Sequence, residues 1–155
     1  MKNTETHIID AVRDADSLVD ILASGGVFPL VVTGSSMLPF LKEGRDTVIL
    51  QKADKLCRGQ IVFFRRNSGE FILHRVRRKY PNGRLLVNGD AQSWCELIRS
   101  ECVLAEVISI ERRGRTIDPN GFTSRLLRML WYPTRPVRPL IFRLYTLSKK
   151  VFTRH

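Results

Sequence analysis

The stretch FILHRVRRKYPNGRLLVNGD, residues 71–90, consists of two apolar runs on either side of a tight-turn sequence. Asn82-Gly83 is the type of dipeptide that two-residue β-hairpin turns prefer, because both of its residues accept a positive φ. A hairpin centred on that pair places residues whose numbers sum to about 164–166 opposite each other. By this register His74 and Asp90 lie directly or diagonally opposite, so that an imidazole and a carboxylate come close together.

Short apolar runs bounded by turn residues continue on both sides of this hairpin. Such runs are typical of β-strands. We predict strands near residues 27–33, 47–52, 60–66, 70–79, 84–88, 102–111 and 115–118. Many short strands with turn signals between them indicate a mainly β (α+β) fold, either a compact antiparallel β domain or a partly open barrel.

The two ends of the chain have helical periodicity instead. Apolar residues between Ile8 and Leu22 predict two short N-terminal helices, and Gly25-Gly26 ends the second of them. Near the C-terminus apolar residues recur among arginines and prolines, which predicts two basic amphipathic helices joined by a proline-rich linker. We therefore divide the chain into an N-terminal helical segment (residues 1–26), a β domain (27–120) and a basic amphipathic helical tail (121–155).

The composition is that of a globular chain with a strong excess of basic residues. Its 155 residues carry a formal net charge of +11, which favours nucleic acid or an anionic membrane as a partner. The basic residues are spread along the whole chain, however, which argues against one dedicated phosphate-binding groove. Three cysteines without a CxxC spacing support neither a disulfide framework nor a zinc site, so we expect no metal and no cofactor.

No segment of the sequence predicts export or a membrane span. The polar stretch 1–7 lacks the apolar core of a secretory signal, and no window approaches about 18 uninterrupted apolar residues. We therefore expect a cytoplasmic protein. The aromatic and basic residues of 122–155 suit an anionic lipid interface, so the tail either packs on the β domain, binds a protein partner or rests on the inner membrane surface.

A candidate nucleophile lies in Gly34-Ser35-Ser36-Met37-Leu38-Pro39, which directly follows an apolar, strand-like run. That order predicts a strand that ends in a tight loop presenting a hydroxyl group. A serine hydroxyl needs a positioned base before it can act as a nucleophile. His74 is the one histidine that lies away from the chain ends, and Asp90 is the carboxylate that the hairpin brings near it.

Each of these features, taken alone, has an ordinary structural explanation. Ser35-Ser36 is commonly a turn or a helix cap, and Gly89-Asp90 is a common turn dipeptide. A strand histidine such as His74 is commonly packed against its neighbours or faces solvent. A catalytic site is therefore a hypothesis that depends on all three features occurring together.

Four motifs taken together resemble those of the type I signal peptidases and the related LexA-type self-cleaving repressors. They are Gly34-Ser35-Ser36-Met37-Leu38-Pro39, Arg58-Gly59-Gln60-Ile61-Val62-Phe63, Leu73-His74-Arg75-Val76 and Asn88-Gly89-Asp90-Ala91-Gln92. The motifs stand in the order of that family, and the resemblance covers about residues 27–110. It implies the compact β fold of the family, a serine endopeptidase activity and a peptide or preprotein substrate.

The resemblance also implies a role for each site residue. Ser36 would be the nucleophile, His74 the general base and Asp90 the orienting carboxylate. The backbone of Ser36, together with Ser35, would form the oxyanion hole. Met37 and Pro39 would contact the substrate. Typical bacterial members have a lysine as the base, so a histidine resembles the branch found in archaea and in the endoplasmic reticulum. Histidine has an ordinary pKa near 6.5 and therefore serves as a base at neutral pH without strong desolvation.

Three positions depart from the family pattern. Gln60 replaces the usual aspartate of the second motif, and Arg45 separates Gly44 from Asp46, which are adjacent in relatives. Gly34 stands where some relatives have a serine whose hydroxyl helps to form the oxyanion hole. The backbone N–H of Ser36 must therefore supply much of that stabilisation here.

Two other functions fit part of the sequence. A non-catalytic basic β module would bind nucleic acid or another anionic surface, but the predicted β region has few aromatic residues for stacking on bases. We therefore do not expect nucleic acid as a partner. A LexA-like self-cleaving regulator is the third reading, although the chain contains no Ala-Gly cleavage pair.

Overall fold

The computed structural model describes residues 15–141 and 143–144. Within these ranges the chain forms two α-helices with described bounds, eight β-strands, short 3₁₀ segments at Ser100–Cys102 and Tyr132–Val137, and further helical residues at 138–141 and 143–144. The helices are α1 (Ala15–Ala23) and α2 (Phe122–Trp131). The strands are β1 (Val27–Val31), β2 (Asp46–Gln51), β3 (Ile61–Arg65), β4 (Phe71–Lys79), β5 (Arg84–Asn88), β6 (Glu96–Arg99), β7 (Val103–Arg112) and β8 (Arg115–Ile117).

All eight strands belong to one sheet, in which every pairing is antiparallel. The strand order is β1-β2-β7-β3-β4-β5-β6, and β8 pairs with β7 beside this path. Strands β1 and β6 are the two edges of the described sheet and do not pair with each other. The predicted mainly antiparallel β fold is therefore confirmed, and the sheet is open instead of closing into a barrel.

Strand β3 lies in the interior of the sheet and has a hydrophobic cluster on each of its faces. Its first four residues are buried. Ile61 and Phe63 belong to one cluster, which also includes residues of α1, β2 and β7. Val62 and Phe64 belong to the other, together with residues of β4 and β5. Because successive strand residues point to opposite faces, the sheet separates these two cores.

The hairpin of β4 and β5 forms where the sequence predicts it, with a bulge that changes its register. The bulge shifts the pairing by one residue on the side away from the turn, so that Arg75 lies opposite Asn88. Continuing this register places Gly89 beside His74. Asp90 is one residue beyond Gly89 and follows the end of β5, so the shift moves it out of the position opposite His74 that the predicted register gives it.

Strand β6 (Glu96–Arg99) is absent from the predicted set of strands. It has only four residues, and its burial alternates between intermediate and exposed. Leu97 is half exposed, as the edge position allows. A run this short contains too little periodicity to be recognised from sequence.

The terminal segments agree with the predictions as far as the structure describes them. Helix α1 corresponds to the second predicted N-terminal helix, and the first, near Ile8 to Val12, lies outside the described residues. Helix α2 corresponds to the first helix of the tail, and the proline-rich linker forms the 3₁₀ segment Tyr132–Val137. Residues 138–141 and 143–144 are helical, and the remainder of the second tail helix also falls outside the description. Among the described residues, no helix has the length and apolar character that crossing a membrane requires.

Candidate active site

Ser36 lies in the loop between β1 and β2, and the residues around it fix its position. Gly34 has a φ of +75°, a conformation that glycine adopts most readily. Met37 is buried in the hydrophobic cluster that contains Ile61 and Phe63. Its carbonyl accepts a hydrogen bond from the backbone N–H of Leu41 at 2.9 Å. Ser36 itself is half-buried. The loop therefore presents this serine between a glycine turn and a buried methionine.

The segment that follows β5 packs directly against the backbone of Ser36. The N–H of Ala91 donates a hydrogen bond to the Ser36 carbonyl at 2.9 Å. A Cβ atom added to Gly89 would lie 2.6 Å from that same carbonyl oxygen and 2.7 Å from Oε1 of Gln92, so only glycine fits there. Because Gly89 neighbours His74 in the hairpin register, this contact brings the Ser36 loop to the His74 strand. Ser36 Oγ and the imidazole make no hydrogen bond with each other in the described structure.

The His74 side chain is 1% exposed and packs against two aromatic rings. The centroid of its ring lies 5.9 Å from that of Phe64 and 6.2 Å from that of Trp94. Its Nδ1 atom lies 2.9 Å from Oε1 of Glu96. That distance is within hydrogen-bond range, although the two groups are not aligned as an in-line hydrogen bond, and the contact becomes an ion pair only when the imidazole is protonated. The nearest carboxylate to the candidate base is therefore that of Glu96.

The surroundings lower the pKa of His74 below its ordinary 6.5. Burial is the largest cause, since it removes water from the charged imidazolium. The Glu96 carboxylate opposes the shift, the Arg66 guanidinium adds to it, and the carboxylate of Asp90 opposes it through space. The lowered pKa keeps the imidazole neutral near pH 7, which is the form that accepts a proton.

Glu96 is held in place by two parallel hydrogen bonds from one guanidinium. Nε of Arg66 donates to Oε2 at 2.9 Å, and Nη2 donates to Oε1 at 2.8 Å. Glu96 lies opposite Val87, which lies opposite Val76, so the carboxylate is on the sheet face that His74 also occupies. Glu96 is not among the predicted site residues, because it is the first residue of β6, which the sequence does not predict as a strand.

Asp90 makes its contacts with Arg75 instead of with His74. Nε of Arg75 lies 3.0 Å from each carboxylate oxygen, and Nη2 lies 2.7 Å from Oδ2. Both side chains are almost fully buried. Arg75 also donates to the carbonyl of Gly59 at 2.8 Å. Since Arg75 and His74 are successive residues of β4, they point to opposite faces, and the structure differs here from the expected His74–Asp90 contact.

The structure separates the two residues expected to contact substrate. A cavity of about 590 Å³ opens beside Ser36, and Met37 lines it. Pro39, which follows a cis peptide bond, lines a different cavity together with Arg75 and residues of α2. Ser35 is exposed, and its carbonyl accepts a hydrogen bond from Leu38 N–H at 3.2 Å. The remaining walls of the Ser36 cavity come from β1, β3, β4 and the turn before β4, and they are Leu30, Val31, Val32, Thr33, Gly34, Phe63, Ser68, Gly69, Glu70, Phe71, Ile72 and Leu73.

The positions that depart from the family pattern have structural roles. The Gln60 amide donates to Glu106 at 2.5 Å and accepts from the backbone N–H of Cys57 at 2.6 Å, which ties the start of β3 to β7. Arg45 and Arg112 both bind the buried carboxylate of Asp46. Burial would raise the pKa of Asp46, and the hydrogen bonds from these arginines and from a backbone N–H overcome it and lower the pKa.

Helix α2 and Arg138, which follows the 3₁₀ segment, contact the loop that follows β5. The indole N–H of Trp131 donates to the carbonyl of Asp90 at 2.7 Å, and Nη1 of Arg138 donates to the carbonyl of Gln92 at 3.0 Å. Arg128 donates to the carbonyl of Gly59, which Arg75 also contacts. The first part of the tail is therefore attached to the same loop that packs on Ser36.

Comparisons with known proteins agree with this arrangement at the level of family. Within residues 15–141 and 143–144 no cluster of His, Cys, Asp and Glu side chains has the arrangement of a metal site. A search of curated proteins finds no match. The family model described as Peptidase S24-like matches residues 3–100, more than half of the chain, and that range includes Ser36, His74, Asp90 and Glu96. The chain belongs to the Peptidase S24-like family.

Proposed function

We propose that this protein is a serine endopeptidase that cleaves a peptide or preprotein, with Ser36 as nucleophile and His74 as general base. Its family supports a serine-peptidase-like or LexA-like function. The observation that carries the proposal is the packing of Gly89 on the Ser36 carbonyl, because it brings the serine loop beside the strand of a buried histidine.

The chemistry follows from the neutral state of the imidazole. Ser36 Oγ attacks the scissile carbonyl carbon while its proton passes to His74 Nε2. The C–N bond of the substrate then breaks as His74 returns that proton to the leaving amine. Water, deprotonated by His74, attacks the acyl carbon of the resulting ester; the bond from that carbon to Ser36 Oγ then breaks, His74 returns the proton to Oγ, and the second product leaves as its carboxylic acid. Substrate binding brings Ser36 Oγ and His74 into hydrogen-bond contact, as is common in peptidase sites that are loose when empty.

We assign the orienting role to Glu96 and a structural role to Asp90. A carboxylate at Nδ1 holds the ring in the tautomer that accepts at Nε2 and stabilises the imidazolium that forms during the reaction. Glu96 lies at that nitrogen, and Arg66 fixes it there. Asp90 neutralises the buried Arg75 and thereby holds the loop that carries Gly89 and Ala91.

The oxyanion hole and the substrate pocket both lie at the Ser36 loop. The N–H of Ser36 makes no backbone hydrogen bond in the described part of the chain, so it is free to stabilise an oxyanion, with the hydroxyl of Ser35 as a second donor. The cavity beside Ser36 has apolar walls from Leu30, Phe71 and Leu73. It suits a small or apolar substrate side chain next to the scissile bond.

Peptide cleavage by the full chain tests the proposal. The purified protein is incubated with a peptide library, alongside the Ser36→Ala and His74→Ala variants, and the products are identified by mass spectrometry. Cleavage that depends on both residues supports the assignment, and cleavage that survives Ser36→Ala excludes it. The mass of the protein itself is measured in the same samples, because a self-cleaving regulator would cut its own chain.

We also propose that the tail rests on an anionic membrane surface. Phe122, Met129, Leu130, Leu140 and Leu144 are all more than half exposed. From residue 119 onward the sequence contains arginines and lysines and no acidic residue. Exposed apolar side chains among basic residues are the features with which peripheral segments bind anionic lipids. The contacts of Trp131 and Arg138 with the loop after β5 would then hold the site close to that surface.

A further inference from the structure

A cavity of about 880 Å³ lies beside β5 and β6 and next to the turn between β3 and β4. We call it the arginine trough, because four arginines and only two carboxylates line it. The charged lining residues are Arg65, Arg66, Arg84, Arg99, Glu96 and Glu101. The excess of arginines over carboxylates makes this cavity itself positively charged, in addition to the positive net charge of the whole chain.

Three of these arginines have no acidic partner in the described ranges. Arg84 and Arg99 lie directly opposite each other on β5 and β6, and both are exposed. Like charges at directly opposite positions destabilise an antiparallel pair. The guanidinium of Arg65 lies over the ring of Phe71, 5.5 Å from its centroid, instead of against a carboxylate. An anion placed between these side chains would relieve their repulsion.

The trough borders the site described above, because the two have residues in common. Glu96 lines it and also lies at Nδ1 of His74. Ser68 lines both the trough and the cavity beside Ser36. These shared residues place the trough next to the proposed cleavage site.

We infer that the trough binds acidic side chains of the peptide substrate, and this inference rests on the proposed peptidase function. Arginine pairs with carboxylates through two parallel N–H donors, so aspartates or glutamates are the residues that best match this surface. Arg66 is already engaged by Glu96, which leaves Arg65, Arg84 and Arg99 for the substrate. The substrates would be acidic in a segment that flanks a small or apolar residue at the cleavage site.

Binding of labelled peptides to the full-length Ser36→Ala variant tests the inference without requiring cleavage. Fluorescein-labelled peptides contain an alanine-rich core with three aspartates before or after it, and matched peptides contain asparagines instead. Fluorescence anisotropy should show that one of the two aspartate peptides binds more tightly than its matched asparagine peptide. High salt should weaken the binding of that aspartate peptide. Arg84→Glu and Arg99→Glu should each weaken that binding by about fivefold. Arg115→Glu is the control, because Arg115 is exposed on β8 and its replacement changes the net charge by the same amount.

Three results would overturn the inference. The first is equal binding of the aspartate and asparagine peptides. The second is a loss of binding in Arg115→Glu as large as that in Arg84→Glu or Arg99→Glu. The third is tighter binding of a single-stranded oligonucleotide of matched charge than of the aspartate peptide. Cleavage by the unmodified chain is measured in parallel. Ser36-dependent cleavage without any preference for acidic peptides refutes the trough alone, and selective binding without cleavage refutes the peptidase proposal alone.

Discussion

Nδ1 of His74 lies 2.9 Å from Oε1 of Glu96, on a sheet face where the imidazole is almost completely buried. Arg66 holds the same carboxylate through two hydrogen bonds. The candidate base is thus supported by a residue from the edge strand β6. Asp90, on the adjacent loop, neutralises Arg75 on the other side of β4.

We predict that peptide cleavage requires both Ser36 and His74. Ser36→Ala removes the nucleophile and His74→Ala removes the base, and each should lower kcat by at least about 10³-fold. The double variant should be no slower than either single variant, because the two residues act as one unit. Steady-state cleavage of a fluorogenic peptide measures this, with Ser68→Ala as a serine control beside the same cavity. An additive loss in the double variant would contradict a shared step.

Activity should depend on pH through the lowered pKa of His74. The active form is the neutral imidazole, so kcat should rise with pH and reach half its maximum below the ordinary 6.5. Glu96→Gln removes an attraction that raises this pKa, so the midpoint should move to lower pH. The plateau should also fall, because the imidazolium loses its counter-charge. A midpoint that stays in place in Glu96→Gln would exclude contact between these two residues during turnover.

Asp90→Asn should act mainly on stability. It leaves the guanidinium of Arg75 buried without a counter-charge, which costs about 3–5 kcal/mol in comparable buried pairs. Urea unfolding followed by circular dichroism measures the loss, and Glu96→Gln serves as the control because Glu96 is partly exposed. Replacing both partners, as in Arg75→Met with Asp90→Leu, should recover part of the stability. Wild-type stability together with lost cleavage in Asp90→Asn would instead assign the orienting role to Asp90.

Gly89→Ala should displace the Ser36 loop. The new methyl group would lie 2.6 Å from the Ser36 carbonyl oxygen, so either the loop or the end of β5 must move. We expect a loss of about 1–3 kcal/mol in stability and a fall in kcat larger than the change in KM. Gly121→Ala is the control, because its added Cβ would meet Asp118 at 3.3 Å and Gly121 does not line the Ser36 cavity. Unchanged kcat in Gly89→Ala would mean that this contact does not position the nucleophile.

The tail should bind anionic vesicles and not neutral ones. Co-sedimentation with vesicles containing phosphatidylserine should decrease about tenfold when Leu130 and Leu140 are both replaced by aspartate, because burial of their side chains and the local positive charge are lost together. Val19→Asp is the control, since Val19 is an exposed apolar residue on α1. Equal sedimentation of the unmodified chain, the double variant and Val19→Asp would exclude a membrane role for this surface.

Local sequence patterns were sufficient for most of the fold. The Asn82-Gly83 turn and the alternation in its flanking runs determined a hairpin, and short apolar runs located seven of the eight strands. Strand β6 escaped detection because four residues at a sheet edge have little periodicity. The bulge in β4 also escaped detection, because no residue type by itself specifies a one-residue shift in register.

The sequence by itself determined the chemical groups of the site: a serine in a tight loop, a histidine in a strand and a family of serine-peptidase-like proteins. Those signals are local, since turn residues and motif spacing do not depend on distant strands. Only the tertiary structure decided which carboxylate meets His74. Strand alternation turns Arg75, the partner of Asp90, away from the face of His74, and the pairing of β5 with β6 brings Glu96 to the imidazole. The same pairing aligns Arg84 with Arg99, and a surface assembled across strands in this way follows from register and not from the order of residues.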